Sequence, residues 1–195
     1  MTPVARRATI FALLAALMAA TRVHHFGAVP DASWAVFFIG GVYLATWTRW
    51  AFHALMALAV AVDAFVITSQ GLSFWSHYCV SPAYWCLVPA YFAMWAGGLW
   101  LGRHLDGPAV AGVLKLGVSL VAAVIVCHLI AQGSFYWISS SVAEPSLAGW
   151  WKNYTDWLLP YMRVAAMYVG AAAMLHVLLT RVLPKPAPVR ALRAD

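Results

Sequence analysis

Apolar residues in this chain come in long runs that exceed the stripe of a surface helix or the alternation of a half-buried strand. The first run covers about residues 8–23, behind Arg6 and Arg7. HHFGAVPD breaks it, and Asp31 stands as an N-cap for a second run over about 32–48. A third covers about 50–69, followed by a loop at 70–82 in which Ser81-Pro82 has the cap-then-proline signature of a helix start. The fourth runs over about 83–101 and stops at Gly102. Gly107-Pro108 opens a fifth over 108–132, closed at Gln132-Gly133. A polar, aromatic connection over 133–156 then leads to Pro160, which fits the first turn of a sixth run over about 160–183. At ~1.5 Å per residue these runs cross, or nearly cross, a ~30 Å hydrocarbon core. The expectation is one all-α integral membrane domain over 1–195 with six transmembrane helices, ending in a loose basic tail at 184–195.

Composition removes the alternatives. With 64% hydrophobic and 9% charged residues, the chain is far from the balance of a soluble domain or of a disordered segment. Long helical runs, not ten-residue alternating segments, exclude an outer-membrane barrel. The net charge of +6 does not signal nucleic acid, because its 12 Lys and Arg form no run longer than two and mostly flank apolar segments. Their distribution sets topology instead. With a cytoplasmic N-terminus, Arg6, Arg7, Arg49, Arg103, Arg181, Lys185, Arg190 and Arg193 fall on the cytoplasmic side, against Arg22 and Lys152 outside. Eight against two places both termini in the cytoplasm. The first run lacks an A-x-A cleavage pattern near Ala19 and Ala20 and is read as a retained helix.

Intramembrane polar groups are costly and need partners, so they mark where function resides. Asp63 lies in the outer third of the third run, Tyr84 begins the fourth, and Arg163 is about one turn into the sixth. Outer loops add His24, His25 and Asp31, then His77 and Cys79, then Trp150, Trp151, Lys152, Tyr154 and Asp156. All of these can line one cavity open to the outside. The plainer reading pairs Asp63 with Arg163 as a structural bridge and assigns Trp150, Trp151 and Trp157 to an interfacial aromatic belt. Cys86 and Cys127 fall inside apolar runs and read as small hydrophobes. Cys79 differs. It precedes a helix N-terminus and neighbours His77, both of which favour thiolate, and a thiolate is a soft metal ligand or a nucleophile. His53, His128 and His176 lie within runs; they read as hydrogen-bonding residues between helices, or as the axial ligands of a b-type haem. Ala8, Ala12, Ala16 and Ala20 recur at i+4, a small-residue face that serves either as an internal seam or as a docking surface. No Walker A, GxSxG or HExxH pattern is present, so a built-in nucleotide motor or an ordinary hydrolase has no support.

Six runs, the Ala stripe, TRVHHFGAVPDASWAVFF across the first outer loop and CVSPAY at the start of the fourth run together give a resemblance. The chain resembles the solitary substrate-binding subunits related to energy-coupling-factor transporters, and among them is similar to the BtuM-type cobalamin transporters of Gram-negative bacteria. That resemblance implies a multi-pass protein of the bacterial inner membrane that binds cobalamin from outside. Cys79 would be the axial cobalt ligand, and His24 or His25, Asp63, Tyr84 and Arg163 would line the corrin pocket, with Lys152 the alternative to Arg163. It further implies possible roles for Cys79 in removing the cyanide of cyanocobalamin and for Ala8, Ala12, Ala16 and Ala20 in docking a membrane partner that carries ATPases, if such a partner is used at all. The rival reading is the haem protein built on His53, His128 and His176.

Overall fold

The structure, a computed structural model, describes residues 2–23, 29–77, 80–105 and 109–182. These form six α-helices: α1 Pro3–Val23, α2 Ser33–Tyr43, α3 Thr48–Ser69, α4 Leu87–His104, α5 Ala109–Ile138 and α6 Leu147–Val182. Short 3-10 turns at Ala45–Trp47, Phe74–Ser76 and Pro82–Cys86 join them, and no strand occurs among the described residues. Four helical segments are long and apolar enough to cross a membrane: Pro3–Val23, Ala45–Ser69, Ala109–Ile138 and Leu147–Arg181.

Apolar runs locate these helices well and their ends poorly. The expected second run spans a helix boundary. The Leu44 N–H bonds the Gly40 carbonyl (2.8 Å) and the Trp47 N–H bonds the Leu44 carbonyl (2.7 Å), so the chain tightens into three-residue turns before α3 begins at Thr48. That leaves α2 with 11 residues, about 16 Å at the α-helical rise, too short to cross a bilayer alone. The fourth run opens as a 3-10 turn at Pro82, and the Ser81 side chain makes no cap bond there. The polar connection expected over 133–156 is mostly helical. α5 continues to Ile138, where Ser139 Oγ folds back on the Phe135 carbonyl. Ser146 then caps α6 by accepting the Gly149 N–H at 3.1 Å. Pro160 therefore lies inside α6, not at its start. Its missing donor is tolerated there because neighbouring helices and side chains can satisfy the freed carbonyl.

The core centres on α2, where Ala35, Val36, Phe37 and Phe38 are buried. Its main neighbour is α4, and the two backbones nearly touch. A methyl group added to Gly98 would stand 1.9 Å from the Phe38 carbonyl oxygen, and one added to Gly41 would stand 2.1 Å from that of Trp95. Only glycine permits this approach, which replaces side-chain packing with backbone contact. Trp95 fills the space beside it, fully buried, and donates its indole N–H to Thr48 Oγ1 at 3.1 Å. α5 closes on the other face of α4, where the Ser119 hydroxyl donates to the Gly97 carbonyl at 2.8 Å.

α1 buries Leu14, Met18, Thr21 and Arg22. Ala8, Ala12, Ala16 and Ala20 are two residues out of phase with Leu14, Met18 and Arg22, a rotation of about 200°, and all four are exposed on the opposite face. The stripe is therefore not an internal seam of the described chain.

Candidate functional site

Arg22 is the hub of the site. It comes at the last turn of α1, where a cation complements the helix dipole, and its side chain is only 6% exposed. Its guanidinium forks onto Asp63 of α3, with Nε to Oδ1 at 2.6 Å and Nη2 to Oδ2 at 2.7 Å. Nη1 reaches Asp31 Oδ2 (3.2 Å), Ser33 Oγ (3.0 Å) and Tyr91 OH (3.1 Å). The Tyr84 hydroxyl donates to Asp63 Oδ2 at 2.6 Å. One cation thus ties together α1, the loop before α2, α2, α3 and α4, and Tyr84 adds the 3-10 turn. Planar bidentate pairing of this kind is what a desolvated Arg–carboxylate pair needs to offset the cost of burial. Two carboxylates against one guanidinium leave the cluster with a formal charge of −1.

Asp31 was expected to cap α2, but Ala32 holds the N-cap position without a side-chain cap bond, and Asp31 instead bonds the first helical residue from one position further out. Its Oδ1 accepts the Ser33 N–H at 2.9 Å and the Ser33 hydroxyl at 2.6 Å, while its other oxygen faces Arg22. A second anchor holds the same loop, as the Ala32 N–H donates to Thr21 Oγ1 at 3.1 Å.

This cluster forms one wall of a cavity of about 690 Å³. Arg22, Asp31, Asp63, Tyr84 and Tyr91 line that wall, and α5 and α6 supply the opposite one. Trp34 of α2 stacks on Tyr161 of α6 with ring centroids 4.7 Å apart, and Phe135, Tyr136 and Trp157 continue the aromatic surface. The polar groups on this side are few. His128 donates from Nε2 to the Tyr154 carbonyl at 3.0 Å, and Gln132 Nε2 donates to Asn153 Oδ1 at 2.9 Å. His77 also lines the cavity. Broad aromatic walls with a few fixed polar groups suit a large, flat, largely apolar ligand with polar substituents on its rim.

Of the residues singled out from the sequence, Asp31, Asp63 and Tyr84 are brought together in the Arg22 cluster, and His77, His128 and Trp157 line the same cavity. Arg163 is not among them. It is exposed on α6 and absent from the lining, and Asp63 takes Arg22 as its partner. Lys152 is also outside the cavity, paired with Asp156 at 2.6 Å on an exposed helix face. His24, His25 and Cys79 lie outside the described residues; His77, two positions before Cys79, is the nearest described neighbour on its N-terminal side. Trp151 and Trp157 have exposed rings, as an interfacial belt requires, but Trp157 also lines the cavity. Cys127 is buried and Cys86 half-buried, both as free thiols. The three histidines of the apolar helices have separate partners: His53 its own helix at the Arg49 carbonyl, His128 the Tyr154 carbonyl, and His176 the Tyr43 hydroxyl at 3.0 Å. No group of three or more metal-ligating side chains occurs among the described residues.

Sequence reasoning missed Arg22, Tyr91, Gln132 and Asn153. Arg22 was legible as a charge at a helix end, and that same position made it look like a flanking topology residue. No protein-family model matches this chain, and no curated protein is significantly similar to it.

Proposed function

We propose that this chain binds a corrinoid, cobalamin, at the cavity and carries it across the bacterial inner membrane, with Cys79 as axial ligand to cobalt. The observation that carries the reading is the cavity itself: about 690 Å³, lined by aromatic rings and by a few fixed polar groups, with His77, two positions before Cys79, among its lining residues. A corrin is wide and apolar across its faces and carries amides on its rim, so it calls for this combination. Asp63 and Tyr84 would meet rim amides, and Arg22 takes the role first given to Arg163. His24 or His25 keeps the pocket-lining role that the resemblance implies.

Thiolate is a strong donor to cobalt, and ligation on one face weakens the bond on the other. Cyanide on the opposite face would leave with its bonding electron pair, so bound cyanocobalamin loses its cyanide without a change in oxidation state. In the full proposal six helices cross or enter the bilayer with both termini in the cytoplasm, as the basic residues favour. The exposed Ala8, Ala12, Ala16 and Ala20 face is where a membrane partner with ATPases would dock, if transport uses one.

The test is spectral. Purified protein mixed with cyanocobalamin should retain the vitamin through gel filtration and shift its visible bands, and Cys79→Ser should abolish the shift. Bound vitamin with an unchanged cyano spectrum refutes the thiolate step, and no retained vitamin refutes the corrinoid reading. A vitamin-uptake-deficient bacterium carrying this gene should grow on limiting cobalamin only when Cys79 is intact.

A further inference from the structure

Across the cavity from the Arg22 cluster, one polar pair is left incomplete. Gln132 on α5 and Asn153 on α6 both line the cavity and bond each other through a single contact, Gln132 Nε2 to Asn153 Oδ1 at 2.9 Å. Gln132 Oε1 is buried and has no hydrogen-bond partner, and Asn153 Nδ2 has none among the described residues. Buried side-chain acceptors are rarely left unpaired, because an unmade bond costs most of the group's desolvation. The pair therefore presents one unused acceptor and one unused donor side by side. Turning both amides over exchanges which residue donates and leaves the same complement.

We infer that Gln132 and Asn153 form a carboxamide-recognition subsite, in which a ligand amide donates its N–H to Gln132 and accepts from Asn153 at its carbonyl. A carboxylate in the same place offers two acceptors and no donor, so it would leave Gln132 Oε1 unpaired and facing negative charge. The subsite thus selects amide over acid. Chemical class is read here from the donor–acceptor pair, and its assignment to the rim amides of a corrinoid rests on the function proposed above.

Two probes separate these layers, both used with the full chain in detergent: cyanocobalamin, and the cobalt-free pair nicotinamide and nicotinate, measured by equilibrium dialysis. Cyanocobalamin should bind about tenfold more weakly to Gln132→Met and to Asn153→Leu, as expected for losing one or two neutral hydrogen bonds. The spectral shift that depends on Cys79 should survive at saturation. Nicotinamide should bind at least tenfold more tightly than nicotinate, with the preference gone in both variants. Equal cyanocobalamin affinity in wild type and in both variants overturns the subsite and leaves the corrinoid reading standing. Absent cyanocobalamin binding, with the amide preference intact and dependent on Gln132, overturns the corrinoid reading and keeps the subsite. Failure of both overturns both. Each variant is compared at matched helical circular dichroism, and since the two substitutions lie on different helices, misfolding of one leaves the other to decide.

Discussion

The α2–α4 seam and the Arg22 cavity solve opposite problems with the same six helices. At the seam, Gly41 and Gly98 let two backbones approach until nothing fits between them, and Trp95 seals the edge. At the cavity, helices are held apart and joined by polar side chains reaching from four segments to the one guanidinium that α1 supplies. Without water, contact area stabilises the first region, and complete hydrogen bonding stabilises the second. The seam is sensitive above all to added volume, the ionic cluster to a lost charge.

Breaking the ionic side should have the largest effect. Arg22→Met leaves Asp31 and Asp63 without their cation, and uncompensated buried charge should cost about 3–5 kcal/mol in denaturant unfolding followed by tryptophan fluorescence. Adding Asp63→Leu to that variant should recover part of the loss, giving a coupling energy well above zero in the double-mutant cycle. Additive losses would mean that the pair does not act as a unit.

The seam is broken by a single methyl group. Gly98→Ala places a carbon against the Phe38 carbonyl oxygen and should cost about 3 kcal/mol, the upper end of overpacking, because backbone cannot swing aside. Gly117→Ala on α5 meets nothing within 4 Å and should leave stability unchanged or slightly raised. If the two glycines respond alike, the close approach of α2 and α4 is wrong.

Tyr84→Phe sharpens the comparison from the cavity side. It removes one bond to Asp63 while Arg22 still holds both carboxylate oxygens, so the loss should be about 1.5 kcal/mol, the low end for a hydrogen bond to a charged group. Corrinoid affinity, on the proposed function, should fall with it.

These sensitivities explain what the sequence revealed and what it withheld. Apolar runs locate helices because a membrane span must be continuous, yet the same continuity hides where α2 ends, since Leu44 and Ala45 are as apolar as the helix before them. Ser146 was the readable start of α6, but Pro160 gives a louder signal within a longer apolar stretch. Asp63 and Tyr84 stood out because polar residues in such runs are rare. Their partner did not, because a basic residue at a helix end is the ordinary mark of topology, and Arg22 wears that mark while turning inward. Gln132 and Asn153 are 21 positions apart on different helices, and no pattern within one helix could pair them. Gly40-Gly41 and Gly97-Gly98 stand in the sequence as two doublets, and together they mark the seam.

The smallest expected stability effect falls on a third surface, the outward face of α1. Ala12→Leu and Ala16→Leu add volume where the described chain has no covering element, so unfolding should shift by no more than about 0.5 kcal/mol. Cavity binding should be untouched too, since the buried face of α1 with Leu14, Met18 and Arg22 lies on the opposite side. A docking role predicts a third outcome that neither stability nor binding reports: uptake lost in cells while the purified protein still holds its ligand. The two leucines would keep a partner helix from the close approach that a small-residue face permits. Uptake that continues at the wild-type rate removes the docking role and leaves this face to lipid.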